Sequence, residues 1–171
     1  MAQPIVVVTF YSRGGTTERL ATAAAVGAVQ HRAGIRMRRI PDANPAAVVE
    51  RFPQHREELR RMHKEYVPPR EADLLAADVL IVASPPDTPA SAEEWASFLE
   101  GLSRLHEDGK LRGKVGAVVE TGPASASFAA AMERLGLATV RAVTVDAGSD
   151  EMARAVALGR AAVAQVQARR A

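Results

Sequence analysis

Five short runs of strand-forming residues alternate with longer stretches of helical periodicity along this 171-residue chain. The runs cover residues 5–11, 35–40, 79–83, 115–120 and 139–145. Val/Ile-rich runs without polar alternation suit strands buried on both faces, as in a parallel sheet. The second run differs. Ile35, Met37 and Arg39 alternate there with Arg36, Arg38 and Ile40, the pattern of an edge strand guarded by charge. Between the runs, residues 17–32 are rich in Ala, Val and Leu, which lets a helix lie close on a sheet. Ser91-Ala92-Glu93-Glu94 reads as a capping box that opens a helix with Trp95, Phe98, Leu99, Leu102 and Leu105 on one face. Phe128, Met132 and Leu135 mark another helix, and Met152, Val156, Gly159, Val163 and Val166 mark the last. The order βαβαβαβαβα predicts one α/β domain over residues 1–171. It is a three-layer, doubly wound domain with a five-stranded parallel sheet in strand order 2-1-3-4-5. In such sheets a ligand sits at the carboxyl ends of the strands, beside strand 1.

One segment exceeds what that plan needs. Residues 44–70 form a long connection between strands 2 and 3. The segment is helical in its middle, interrupted at Pro53 and charged in both signs. Pro68-Pro69 ends it before a short helix at residues 71–76. It is expected either to cover the sheet edge as a solvated excursion or to serve as a subunit contact or a lid. Phe52, Met62 and Tyr66 favour a contact, hence an expected homo-oligomer.

The first strand runs into Tyr11-Ser12-Arg13-Gly14-Gly15-Thr16-Thr17-Glu18 and then a helix. A strand that turns through Ser, Gly and Thr into a helix makes an anion site. The first helical N–H groups are free, and the macrodipole adds partial positive charge. Gly14 and Gly15 let the backbone come close to the anion, and Ser12, Thr16 and Thr17 bring hydroxyl donors. With one nearby cation, Arg13, the loop suits a phosphate that is bound but not transferred. Arg13 itself could screen that phosphate or point to solvent. The mononucleotide P-loop is excluded, because Gly109-Lys110 and Gly113-Lys114 lack a following Ser or Thr. Gly14-Gly15-Thr16 breaks the dinucleotide fingerprint G-x-G-x-x-G, and the acidic metal-holding residues of a phospho-receiver are missing.

Composition narrows the partners. Apolar residues make 47% and charged residues 25%, which fits a soluble globular chain. A formal charge of +2 gives no case for a nucleic-acid partner, although the pI is about 9.4; few groups titrate in that range, so a small excess moves the pI far. The absence of cysteine removes disulfides, thiolate nucleophiles and cysteine metal sites, and no metal site is expected. Residues 5–10 are too short an apolar run for a signal segment, and nothing approaches the ~20 apolar residues of a membrane span. The expected protein is cytoplasmic, without a membrane partner.

Four stretches together resemble one family: YSRGGTTERLA at 11–21, PAAVVERFPQHREELRRMHKEYVPPREADLLAADVLIVAS at 45–84, SPPDTPASAEEWASFLE at 84–100 and LRGKVGAVVETG at 111–122. Their order and spacing are similar to those of the flavodoxin-like NAD(P)H:quinone oxidoreductases that include the tryptophan-repressor-binding protein. This chain would be a shortened and divergent member. The resemblance implies a flavodoxin-like fold and FMN as cofactor. Ser12, Gly14, Gly15, Thr16 and Thr17, with Arg13 beside them, would hold the FMN phosphate. Pro85, Pro86, Asp87 and Thr88 would meet the isoalloxazine ring and its polar edge, and Thr121, Gly122 and Pro123 would lie on its opposite side. The flavin would take hydride from NAD(P)H and pass two electrons to a quinone, so no catalytic side chain is required.

The departures fall on the ring side. Thr88 stands where the family carries an aromatic, and Pro123-Ala124-Ser125 replaces a glycine run. Asp146-Ala147-Gly148-Ser149 leads straight into the last helix, where the family has a long glycine-rich loop. Weak FMN binding is therefore expected. The alternatives are a non-catalytic binding or assembly module that has lost usable flavin affinity, or a site for another phosphorylated small molecule. Of the other residues, Trp95 reads as core, Tyr11 as packing under the first loop, and His55 and His63 as surface. His106 follows a helix end, and Glu120 is either a second-row acceptor or a strand-end charge.

Overall fold

The computed structural model describes residues 2–140 and 150–171. Its strands are β1 (Ile5–Phe10), β2 (Gly34–Arg39), β3 (Val79–Ala83), β4 (Val115–Val118) and β5 (Ala138–Thr139). All pair in parallel, in the predicted order β2-β1-β3-β4-β5. Val6 lies between Ile35 and Val79, and Val79 pairs in turn with Val115, so the β1 and β3 carboxyl ends stand side by side. The fourth run is longer in sequence than in the sheet. β4 stops at Val118, although Val119 N–H still reaches the Val82 carbonyl. Of the predicted fifth run, residues 141–145 lie outside the described residues, as does the Asp146–Ser149 loop.

Period-two side chains sort the core into two faces. Val6, Val8, Phe10, Val79, Ile81, Ala83, Val115 and Ala117 pack with α1 (Thr16–Gln30) and α7 (Glu151–Arg170). Val7, Tyr11, Leu80 and Val82 face α4 (Glu71–Ala76), α5 (Glu93–Glu107) and α6 (Ala124–Arg134). The alanines of α1 serve very close packing. A Cβ added at Gly27 would lie 1.9 Å from the Val156 carbonyl oxygen, and one at Gly159 would lie 1.9 Å from that of Ala24. The two helices therefore touch backbone to backbone.

The expected capping box at residues 91–94 does not form. Ala92 is the N-cap of α5 and supplies no side-chain bond. Its N–H closes a turn onto the Pro89 carbonyl (2.9 Å), which sets the N-cap one residue beyond Ser91. The 44–70 excursion is helical on both sides of Pro53. Asn44 caps α2 (Pro45–Arg51) through Ala47 N–H, a 3-10 turn spans Pro53–His55, and α3 (Arg56–Glu65) follows. It covers the β2 edge but is not simply solvated. Leu59 and Met62 are buried in the α1/α7 core, and Tyr66 meets Phe10 edge-on at 4.9 Å.

Candidate functional site

The loop after β1 is shaped by two short-range facts. Gly15, the residue before α1, has φ +87°, a left-handed conformation suited to glycine. Ser12 is buried, and its Oγ accepts from the Gly15 N–H at 3.1 Å. Arg19 N–H then bonds the Gly15 carbonyl at 3.0 Å. The amides of Thr16, Thr17 and Glu18 precede that bond and have no carbonyl one turn earlier in the helix. Of the three expected hydroxyls, Thr16 is exposed, Thr17 is buried, and Ser12 is buried with its Oγ on the Gly15 N–H.

Arg13 does not point freely to solvent. Its Nη2 donates to both carboxylate oxygens of Asp87, at 2.6 and 2.7 Å, and the guanidinium lies 4.5 Å from the Phe52 ring centroid. Burial pushes the Asp87 carboxyl up, but the Arg13 hydrogen bonds and charge outweigh it and hold the group below its ordinary value. Arg13 thus ties the β1 loop to the β3 loop.

The β3 loop is pinned from below. Ser84 Oγ donates to the Thr88 carbonyl (2.7 Å) and accepts from the Trp95 indole N–H (3.0 Å). Thr88 N–H closes a turn onto the Pro85 carbonyl. Thr88 is consequently buried, with its Oγ1 on Asp87, while Pro86 and Asp87 are exposed. The β4 loop joins through Thr121, whose Oγ1 donates to the Ser84 carbonyl at 2.5 Å and whose N–H donates to Ser125 Oγ. Gly122 has φ +122°, and a Cβ there would lie 3.2 Å from Pro86 Cβ. Pro123 is exposed just before α6, and Glu120 is an exposed strand-end charge. All thirteen predicted site residues thus fall on three strand-to-helix connections at one end of the sheet, Thr16 and Thr17 in the first turn of α1, and those connections touch.

The excursion adds residues that motif reading missed. The His55 ring sits on Gly14, where an added Cβ would come within 2.6 Å of Cε1; His55 is therefore not a free surface residue. Phe52 lies under Arg13. Glu18, at the start of α1, accepts from Arg61 (2.5 and 3.0 Å) and from the Tyr66 hydroxyl (2.7 Å). Burial raises the Glu18 carboxyl, but Arg61 and Tyr66 hold it below its ordinary value, and burial with Glu18 pushes Tyr66 up to about 12. The length of the excursion and its apolar residues Phe52, Met62 and Tyr66 hinted at packing, but not at these partners. Phe52, Met62 and Tyr66 are all engaged within the chain.

The residues fit the two ends of a flavin mononucleotide unequally. A phosphate fits the β1 loop, which offers bare helix-start amides, a left-handed glycine and the Thr16 hydroxyl. The ring end offers Pro86, Thr121, Gly122 and Pro123, with Thr88 turned away and no aromatic in either loop.

No protein-family profile matches the chain. It is 33% identical over 116 residues to an NAD(P)H dehydrogenase (quinone) of Archaeoglobus fulgidus, a match covering 66% of this chain and 59% of that one. It is 31% identical over 112 residues to NAD(P)H dehydrogenase (quinone) 3 of Rhizobium meliloti, covering 66% and 50%. The matched stretch thus spans between half and three-fifths of these relatives. Among solved structures it is similar to a flavodoxin of Streptococcus pneumonia TIGR4 (TM-score 0.62, 19% identity, 94% of this chain and 99% of that one). It is also similar to a flavodoxin, WrbA-like protein from Agrobacterium tumefaciens (TM-score 0.57, 17% identity, 97% and 99%). The fold is flavodoxin-like.

Proposed function

We propose that this flavodoxin-like chain, a relative of the NAD(P)H dehydrogenases (quinone), binds FMN across its three loops and works as a small quinone reductase or flavin electron carrier. The observation that carries the proposal is the β1 loop. Its helix-start amides, which have no partner among the described residues, and the φ +87° glycine stand at the carboxyl end of the sheet, beside the β3 loop. FMN, when bound, supplies two-electron chemistry between a nicotinamide and a quinone. The chain's own residues bind and orient. Thr16 and Thr17 amides with the Thr16 hydroxyl receive the phosphate, and Pro86, Thr121, Gly122 and Pro123 flank the ring. Arg13 on Asp87 keeps the first two loops together, and the Trp95 indole keeps Ser84 in place beneath the ring end. NAD(P)H and a quinone are the proposed substrates, and a homo-oligomeric cytoplasmic protein is the proposed state. No helix among the described residues is long and apolar enough to cross a membrane.

One observation favours a second reading, a binding module without turnover. Pro86 rests on Gly122, and Thr88 is buried, so the β3 and β4 loops offer the ring no aromatic surface. Stacking on an aromatic contributes about 0.5–1.5 kcal/mol beyond area burial, and that is missing here. Quinone-dependent NAD(P)H oxidation with FMN in excess separates the two. Steady turnover that depends on added FMN supports the reductase, whereas FMN binding with no oxidation refutes it in favour of a carrier or module.

A further inference from the structure

Arg39 ends the edge strand β2, yet it is 4% exposed. Its neighbours behave differently: Arg36 and Arg38 remain partly exposed and share Asp73. Arg39 instead reaches beneath the first loop. Its Nη2 donates to the Ser12 carbonyl at 2.9 Å and, at 3.2 and 3.4 Å, to Asp42. Its Nε is buried with no acceptor among the described residues. The guanidinium lies 5.7 Å from the Tyr11 ring centroid, and the Tyr11 hydroxyl donates to Asp42 at 3.0 Å.

Burying a guanidinium is costly unless it is neutralised and fully hydrogen-bonded. Here the Asp42 carboxylate is met at 3.2 and 3.4 Å, one donor has no acceptor among the described residues, and the shortest bond goes to a loop carbonyl. Packing alone would not need that arrangement. The Ser12 carbonyl and the Arg13 N–H belong to one peptide unit. A cation drawing on the carbonyl from below fixes that peptide and polarises its N–H toward the loop's outer side. The same positive charge reinforces the field of the α1 N-terminus.

We infer that Arg39 is a positioning residue for phosphate recognition: it orients and polarises the Ser12–Arg13 peptide and thereby sets the preference for a phosphorylated ligand over its unphosphorylated counterpart. This rests on the proposed phosphate role of the β1 loop. Two readouts in Arg39→Met and Arg39→Lys test it. The first, without ligand, is amide hydrogen exchange across residues 12–17. The second is titration with FMN and with riboflavin. In Arg39→Met, exchange in the loop should rise about tenfold while β1 and β3 amides stay unchanged, the loss of one charge-assisted bond. FMN affinity should fall about tenfold with riboflavin affinity unchanged. Arg39→Lys keeps the charge but not the planar fork, so its FMN loss should be about threefold. Unaltered loop exchange in a folded Arg39→Met overturns the proposal, whatever flavin does. Equal loss of both flavins also overturns it, because a general weakening of the fold would do that. If Arg39→Met does not fold, Arg39→Lys decides: unchanged loop exchange and an unchanged FMN-to-riboflavin ratio overturn the proposal. A wild-type chain that does not distinguish the two flavins refutes the phosphate reading instead, and the exchange data still decide whether Arg39 holds the loop.

Discussion

Replacing Trp95 by Phe should loosen the ring-side loop from inside the core. The indole is fully buried, its N–H donates to Ser84 Oγ at 3.0 Å, and its ring packs edge-on against Phe98 and Phe128. Loss of a buried neutral hydrogen bond costs about 1 kcal/mol net. The smaller ring leaves a void on the order of 40 Å³, which costs about 1 kcal/mol at roughly 24 cal/mol per Å³. The sum, about 2 kcal/mol, should lower Tm by about 4–8 °C in a chain of this size. Thermal unfolding followed by circular dichroism gives the value without relying on tryptophan emission. A double-mutant cycle with Ser84→Ala isolates the bond, with an expected coupling of about 1 kcal/mol. Effects that add within about 0.3 kcal/mol would show that Trp95 is only a filler and does not hold Ser84.

Three further outcomes are expected. Gly27→Ala forces a Cβ against the Val156 carbonyl and should cost about 3 kcal/mol, read as a Tm loss of about 6–12 °C; an unchanged Tm would contradict the backbone contact of α1 with α7. Thr16→Asp places like charge at the exposed loop, so FMN binding should vanish while circular dichroism stays native; undiminished FMN affinity would mean that the loop is only a capped turn. Glu18 has a carboxyl lowered in the folded state, so its contribution is complete above the unfolded value near ~4.3 and is lost as pH falls through the folded value. Amide exchange across α3 should therefore rise on acidification below about pH 4, and Glu18→Gln should remove that step; an identical acid response in both proteins would refute the fastening role.

The sheet was legible because parallel strands are buried on both faces, so β1 and β3 appear as unbroken Val/Ile runs. The β1 loop was legible because Gly, Ser and Thr at a strand-to-helix turn have few other uses. What escaped were pairings across long separations. Arg13 could not be assigned because its partner, Asp87, lies 74 residues away. Arg39 read as an edge-strand charge because nothing local says that its side chain turns inward to Ser12. His55 read as surface because the bare Cα of Gly14 that receives it belongs to another part of the chain. The capping box failed for a local reason, since the Pro89–Ala92 turn displaced the helix start.

The central claim, that the β1 loop selects a phosphate at the flavin site, is tested most directly by titrating the protein with FMN and riboflavin. The change in the flavins' own fluorescence on binding follows both ligands. Each charge-assisted bond from a loop amide to the phosphate contributes about 1.5–3 kcal/mol, so FMN should bind at least about tenfold more tightly than riboflavin. Equal affinity for the two flavins would contradict the account.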